Sequence, residues 1–407
     1  MEIVDKESPF QPGQPVDPDK FKGRKENIKE ISRYLKQISN GKHQNFFING
    51  KRGIGKSSFA RYMGEVAKIN CNMISIHLYL NGVGSVKGLV REIITKIVSE
   101  TEENWKDRIS KLFGNTIKSV EFGGLKVEFN PSPEQMDTLT FNFPRILINI
   151  LEKAGYNEKN GKKGLFIVID DINGLTGTPD FANWYKSFND TLSTDFPDEA
   201  PIFMVLSGLS EKKELLFNHN PSFSRIFHYT ELEILKYDEI REFYLSTLKK
   251  IPMEIDEDAL KLMIDYCSGL PTMMHEIGDA VFWEDEDFHV DLSDALTGIL
   301  NAGKQIGDKY LRPIFDSRIK SEKYMSIFRK IGDHAFHTIE KGFTKKELSN
   351  VLTDEEMNVL DDFIRRAKDL GIIELSSAKK FGTYQFTNNL YPAYLMIDKL
   401  AHEQNLN

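Results

Sequence analysis

The sequence predicts an α/β fold: three αβα layers around a parallel sheet, then a helical segment, then a C-terminal helix–turn–helix with a β-hairpin. Three observations predict it. Short, wholly apolar runs such as Leu165–Ile169 and Ile202–Leu206 alternate with helix-length segments, the pattern of strands buried on both faces. A glycine-rich turn, Gly50–Ser57, stands between one strand and one helix. Beyond Lys236 the strand patterns stop, and apolar residues recur at helical spacing to about Trp283.

Taken in order, residues 1–20 carry Pro9, Pro12, Pro15 and Pro18 and are expected to run extended. Ile28, Ile31, Tyr34, Leu35 and Ile38 then mark a helix over Asn27–Ile38. Asn45–Asn49 reads as a strand, the stretch from Lys56 to Ala67 as a helix, Met73–Leu80 as a strand and Val86–Glu100 as a helix. An insertion at about 115–131 alternates around Gly123-Gly124, which signals a hairpin. A helix over Phe141–Ala154 precedes the apolar strand Leu165–Ile169, and one over Phe181–Leu192 separates that strand from Ile202–Leu206. The expected division is an extended segment 1–20, a core 21–235, a helical segment 236–310 and a C-terminal unit 311–407. The run Glu284-Asp285-Glu286-Asp287 reads as a solvated break, and Trp105, Trp184 and Trp283 as partly buried packing residues.

With 407 residues the chain is long enough for two or three domains, and 40% hydrophobic against 28% charged residues is a globular balance. A net charge of −8 gives no global attraction to nucleic acid or anionic lipid. The start Met1–Asp5 lacks the basic and apolar regions of a signal peptide, and no apolar run is long enough to cross a bilayer. Cys71 and Cys267 have no metal-ligand spacing and read as reduced thiols, so a cytoplasmic protein is expected. His334 and His337 stand three apart without a third ligand nearby and read as a solvated or hydrogen-bonded pair rather than a metal site.

The chemistry lies in Gly50-Lys51-Arg52-Gly53-Ile54-Gly55-Lys56-Ser57, which fits G-x-x-x-x-G-K-[ST] without deviation. Its glycines let backbone N–H groups wrap a phosphate, and the helix beginning at Lys56, Ser57 and Ser58 adds its positive dipole end. Lys56 is expected on the β- and γ-phosphates and the Ser57 hydroxyl on Mg²⁺, so ATP and Mg²⁺ are the expected ligands. An apolar strand ending in Asp170-Asp171 puts a carboxylate at the sheet's C-terminal edge, where such ligands bind. Asp170 is expected to hold the metal through water, and Asp171 to orient or deprotonate the attacking water.

At these residues the chain resembles prokaryotic AAA+/STAND-type ATPases related to origin-initiator proteins. Ser8-Pro9-Phe10-Gln11-Pro12-Gly13-Gln14-Pro15-Val16, then Phe21-Lys22-Gly23-Arg24, resembles the family's entry segment, which implies that Val16, Phe21 and Arg24 lie beside the base. The resemblance makes Ile202–Ser207 the sensor strand, with Ser207 facing the γ-phosphate. It puts Ser224-Arg225 where an arginine completes a neighbouring subunit's site; the alternative reading of Arg225 is a plain salt-bridging residue. It makes Gly269-Leu270-Pro271 the turn of a helical lid, with Pro271 near the nucleotide. The family's Asp-Glu pair is Asp170-Asp171 here, and no arginine follows Pro271 closely; both departures imply slow hydrolysis.

In the C-terminal unit Thr344 is placed to cap a short helix, Gly371 closes a longer one, and Ile372–Ser376 with Tyr384–Phe386 form a hairpin. The full expectation is a P-loop three-layer αβα ATPase core, a helical lid and a C-terminal winged helix. Residues 316–407 hold fourteen basic and fourteen acidic residues, and the presumed recognition helix Glu355–Asp369 holds three bases against five acids. That balance favours a protein partner over DNA, with Lys379 and Lys380 adding little in the wing. The expected function is an ATP-dependent switch in protein assembly or signalling, with a homo-oligomer possible and no membrane involved. A DNA-binding initiator ATPase and a nucleotide-binding module with negligible hydrolysis are the alternatives.

Overall fold

The computed structural model describes residues 6–38, 40–80, 82–120, 126–156, 158–308, 319, 321–333, 338, 341–376, 382–388 and 390–404. The Gly123-Gly124 turn, His334, His337, Lys379 and Lys380 lie outside them.

The core opens with α1 (Lys25–Ile38), β1 (Gln44–Asn49), α2 (Lys56–Cys71), β2 (Ile74–Tyr79) and α3 (Val86–Glu100). The insertion contributes α4 (Glu103–Ser110), β3 (Ile117–Val120), β4 (Lys126–Phe129), α5 (Pro133–Phe141) and α6 (Phe143–Lys153). Strands β3 and β4 pair antiparallel, Ile117 opposite Phe129. The expected helix over Phe141–Ala154 begins later, because a separate helix ends at Phe141: Ser132 caps α5 reciprocally with Gln135, and Pro144 sits in the first turn of α6. Then come β5 (Leu165–Asp170), α7 (Asp180–Asp195), β6 (Ile202–Gly208), α8 (Ser210–His219) and β7 (His228–Glu231).

The five long strands form a sheet of order β2-β5-β6-β1-β7. Every pairing in it is parallel. Strand period divides the apolar residues between two layers. Phe46, Ile48, Phe166, Val168 and Phe203 pack with α1 and α2 on one face. Phe47, Ile167, Ile169, Met204 and Leu206 pack with α3, α6 and α7 on the other. The strands' C-terminal ends therefore converge on one edge, where β1 hands the chain to the glycine turn and β5 ends in Asp170.

After the sheet, α9 (Tyr237–Leu248), β8 (Glu254–Ile255), α10 (Glu257–Cys267), α11 (Pro271–Glu284), β9 (His289–Val290) and α12 (Leu292–Ile306) form a helical segment. The C-terminal unit contains α13 (Glu322–Gly332), β10 (Phe343–Thr344), α14 (Lys345–Ser349), α15 (Asp354–Met357), α16 (Leu360–Asp369), β11 (Ile373–Leu375), β12 (Thr383–Phe386) and α17 (Leu390–Gln404). Its sheet has the order β10-β12-β11 and is antiparallel. Core residues Phe328, Leu360, Phe363 and Leu395 join this unit to the layer beneath α2 and the helical segment.

The single helix expected over Glu355–Asp369 is two. Thr353 and Glu356 form a reciprocal cap that starts α15, and the chain breaks at Asn358-Val359 before α16. Glu356 is buried and accepts from Ser326 and Lys330, so it does not belong to an outward acidic face. The remaining α16 carries three acids and three bases. No helix among the described residues is long and apolar enough to cross a membrane.

Candidate functional site

At the sheet edge lies a cleft of about 570 Å³, in the range of small-ligand pockets. Its floor is the glycine turn. Gly53 (φ 77°) and Gly55 (φ 87°) occupy the left-handed region, which a side chain would strain, and this curls the backbone of the turn. Helix α2 then begins at Lys56 with no side-chain cap and no acid in its first turn. The turn brings this open helix end to the cleft, where its first backbone amides can accept an anion. Lys56 Nζ donates to the carbonyls of Gly50 (2.7 Å) and Lys51 (3.0 Å), which folds the ammonium back over the turn. Residues Arg52, Gly53, Ile54, Gly55, Lys56, Ser57 and Ser58 line the cleft; Gly50 and Lys51 supply those two carbonyls instead.

Asp170 closes the cleft from the sheet, with 2% of its surface exposed. Its Oδ1 accepts from the Ser207 hydroxyl and from the Asp171 amide (3.0 Å), and its Oδ2 lies 3.0 Å from His77 Nε2. Burial pushes the carboxyl up, but the His77 ring and the hydroxyls of Ser207 and Ser57 outweigh it and hold the group below the usual carboxylate range. Ser57 and Asp170 thus meet at one point as an ionised oxygen pair with a hydroxyl, the hard donor set that Mg²⁺ takes alongside phosphate oxygens. Asp171 lines the cleft in a left-handed conformation (φ 56°), is exposed, and accepts from the Asn173 amide. Among the described residues no three His, Cys, Asp or Glu are grouped as a metal cluster.

The opposite wall comes from the extended N-terminal segment and α11. Val16 N–H donates to Ser58 Oγ (3.2 Å), and Arg61 binds the Pro15 carbonyl and Asp17 (2.9 Å), which lays the segment along α2. Phe21 stacks on Tyr62 with centroids 4.8 Å apart. Arg24 (φ 62°) is buried and donates to the Ile54 carbonyl at 3.0 Å, bracing the glycine turn from behind. Burial lowers its guanidinium to about 10, against the pull of Glu239 and Glu233. Pro271 opens α11 against Gly55, where an added Cβ would meet Pro271 Cγ at 3.4 Å.

Val16, Phe21, Arg24, Pro271, Asp170, Asp171 and Ser207 therefore share the cleft with the glycine turn. Arg225 does not: it is exposed on the 3-10 turn Pro221–Ile226 after α8 and lines no wall of it. Several cleft residues have no motif behind them. Thr272 Oγ1 donates to the Gly53 carbonyl at 3.2 Å, and His275 Nδ1 accepts the Gln11 amide at 3.2 Å. Asn388 and Leu390 reach the cleft from the start of α17, a helix that no motif in the sequence announces. His77 stands behind Asp170 on β2, in a run whose alternation marks it only as a strand residue.

A strand, a glycine turn with an open helix end, and a buried carboxylate on the neighbouring strand end define a P-loop ATPase. Residues 20–187 match the family model described as AAA ATPase domain, and the chain carries that domain. No curated protein matches the chain in sequence. Among solved structures, the Walker-type ATPase paby2304 of Pyrococcus abyssi is similar over 95% of this chain and 99% of its own, at 16% identity and a TM-score of 0.52. The Aeropyrum pernix ORC2 protein, in ADPNP–ADP complexes, is similar over 97% of this chain and 98% of its own, at 11% identity and a TM-score of 0.56. Both likenesses are of fold: an α/β core with helical elements after it.

Proposed function

We propose that this ATPase is a nucleotide-dependent switch for protein assembly or signalling, in which the helical segment acts as a lid and the C-terminal unit, a winged helix, as the moving output. One observation carries the reading. The turn residue Gly53 lies between both elements: a Cβ added there would stand 3.6 Å from Thr272 Oγ1 of α11 and 3.6 Å from Leu390 Cδ2 of α17. A phosphate chain drawn into the turn would have to be accommodated where lid and C-terminal unit both press on it, so nucleotide state biases their packing.

In this reading Lys56 leaves the Gly50 and Lys51 carbonyls for the β- and γ-phosphates. Ser57 and Asp170 hold Mg²⁺, which when bound neutralises the phosphate charge. Asp171 orients the attacking water, Ser207 senses the γ-phosphate through Asp170, and Arg225 serves the cleft of a second copy. Val16, Phe21 and Arg24 form the base side. The short Asp171 and the absence of an arginine soon after Pro271 support slow turnover, suited to a switch. Hydrogen exchange tests it directly. ATP–Mg²⁺ at saturation is expected to change protection of the α11 start and of residues 390–404, and unaltered exchange in both would reject the switch.

A further inference from the structure

Asp170 has a partner that no sequence motif announces. In the parallel register of β2 on β5, His77 lies beside Val168 and Tyr79 beside Asp170. His77 and Tyr79 share one face of the edge strand, and their rings stack at 4.4 Å with an 18° tilt. The stack turns His77 Nε2 to Asp170 Oδ2 at 3.0 Å. His77 Nδ1 is buried and has no hydrogen-bond partner among the described residues. The ring is therefore held by a single polar contact, and that contact is to the carboxylate.

We propose that His77 is a positioning residue that fixes the rotation of the Asp170 carboxylate for the metal. The terminal torsion of an aspartate is broad, so one anchored oxygen leaves the group free to swing. Here Oδ1 is held by the Ser207 hydroxyl and the Asp171 amide, and Oδ2 by His77. Ser207 and Asp171 are themselves cleft residues whose surroundings change with the ligand, whereas His77 sits behind the site on the edge strand. It is thus the contact that persists while the front of the site is rearranged. Outer partners of this kind typically change metal affinity or activity by about 10- to 100-fold.

The inference rests on the metal role proposed for Asp170, and the test separates the two. A fluorescent mant-ATP is titrated into the full chain with Mg²⁺ and again with EDTA. His77→Leu is expected to lose about 10- to 100-fold of the Mg²⁺-dependent gain in affinity while keeping the EDTA affinity. His77→Gln, whose amide N–H reaches the same oxygen, is expected to restore the gain. His77→Asn, too short to reach it, provides the same comparison as His77→Leu if the leucine variant does not fold. An unchanged Mg²⁺-dependent gain in His77→Leu or His77→Asn, with the gain lost in Asp170→Asn, would overturn the positioning role alone. A gain that survives Asp170→Asn would remove the metal role of Asp170, and this proposal with it.

Discussion

The Gln11 backbone N–H donates to His275 Nδ1 across 3.2 Å, tying the extended N-terminal segment to α11 at the mouth of the cleft. His275 is 5% exposed and packs edge-on against Phe10 and Phe243. Burial, with Lys20 adding to it, lowers the imidazole from 6.5 to about 4. An unfolded chain takes up a proton below pH 6.5 that the folded chain refuses until about pH 4. Stability from this residue is thus complete above pH 6.5, declines as pH falls towards 4, and is constant below that. The loss amounts to at most about 3 kcal/mol. Urea midpoints measured from pH 7 to pH 4 are expected to fall more steeply in the wild type than in His275→Gln. Parallel slopes would contradict a buried neutral imidazole.

Lys56→Ala is expected to abolish tight ATP–Mg²⁺ binding, because the ammonium that bridges Gly50 and Lys51 is the motif's cation for the β- and γ-oxygens. ATP at about 100 times its dissociation constant stabilises the wild type by roughly 2.7 kcal/mol, which a thermal melt resolves. The variant's melting temperature is expected not to respond to ATP, and an equal response in both chains would refute the assignment.

How much of this site was legible in the sequence depends on whether a residue works through its neighbours along the chain or across the fold. Gly53, Lys56 and Ser57 work through a local turn and helix start, so their spacing announces them. Asp170 follows from an apolar strand that must end at a sheet edge. His77 acts through strand pairing with β5, and register is set by long-range packing that no local window contains. Leu390 and Asn388 are similar: α17 is apolar on several sides because it packs against α12 and α13, so it lacks a clear amphipathic stripe. The break in the helix expected over Glu355–Asp369 has another cause. Thr353-Asp354-Glu355-Glu356 is itself a complete cap, which starts a short helix of its own.

Asp171→Asn isolates the water-orienting role proposed for this residue. Asparagine tolerates the left-handed conformation that Asp171 adopts at φ 56°, so the turn is expected to keep its shape. Nucleotide affinity is expected to stay, while turnover falls by about 10²- to 10⁴-fold, the usual worth of general-base assistance. Single-turnover phosphate release measures it, and wild-type turnover in the variant would remove Asp171 from catalysis.

Arg225 tests assembly. It stands exposed on its 3-10 turn and outside its own chain's cleft, so any catalytic contact must be with a second copy. Arginine fingers contribute about 10³- to 10⁵-fold in rate. ATP turnover per subunit is expected to rise with protein concentration, and Arg225→Ala to remove the rise without lowering nucleotide affinity. A rate independent of concentration would leave Arg225 as a surface residue.

The last prediction concerns DNA, where the proposed winged helix and its charge point in opposite directions. Major-groove docking draws its affinity largely from lysine and arginine displacing counterions around the phosphates. On α16 the acids Asp361 and Asp362 occupy the first turn, and the bases Arg366 and Lys368 the last. Two local ion pairs are already made within the unit, Arg365 to Asp362 and Lys345 to Asp361. The break that leaves Glu355 and Glu356 on α15 makes α16 neutral rather than acidic, but it adds no cation to the leading turn, where a groove-reading helix needs them. The full chain, with or without ATP, is therefore expected to bind duplex DNA no tighter than about 10⁻⁴ M near physiological salt, the weak end of non-specific binding. Fluorescence anisotropy on a labelled duplex, repeated across salt concentrations, measures both affinity and the number of phosphates neutralised. Sub-micromolar affinity with a steep salt slope would reverse the choice of partner and make the C-terminal unit a DNA-binding element.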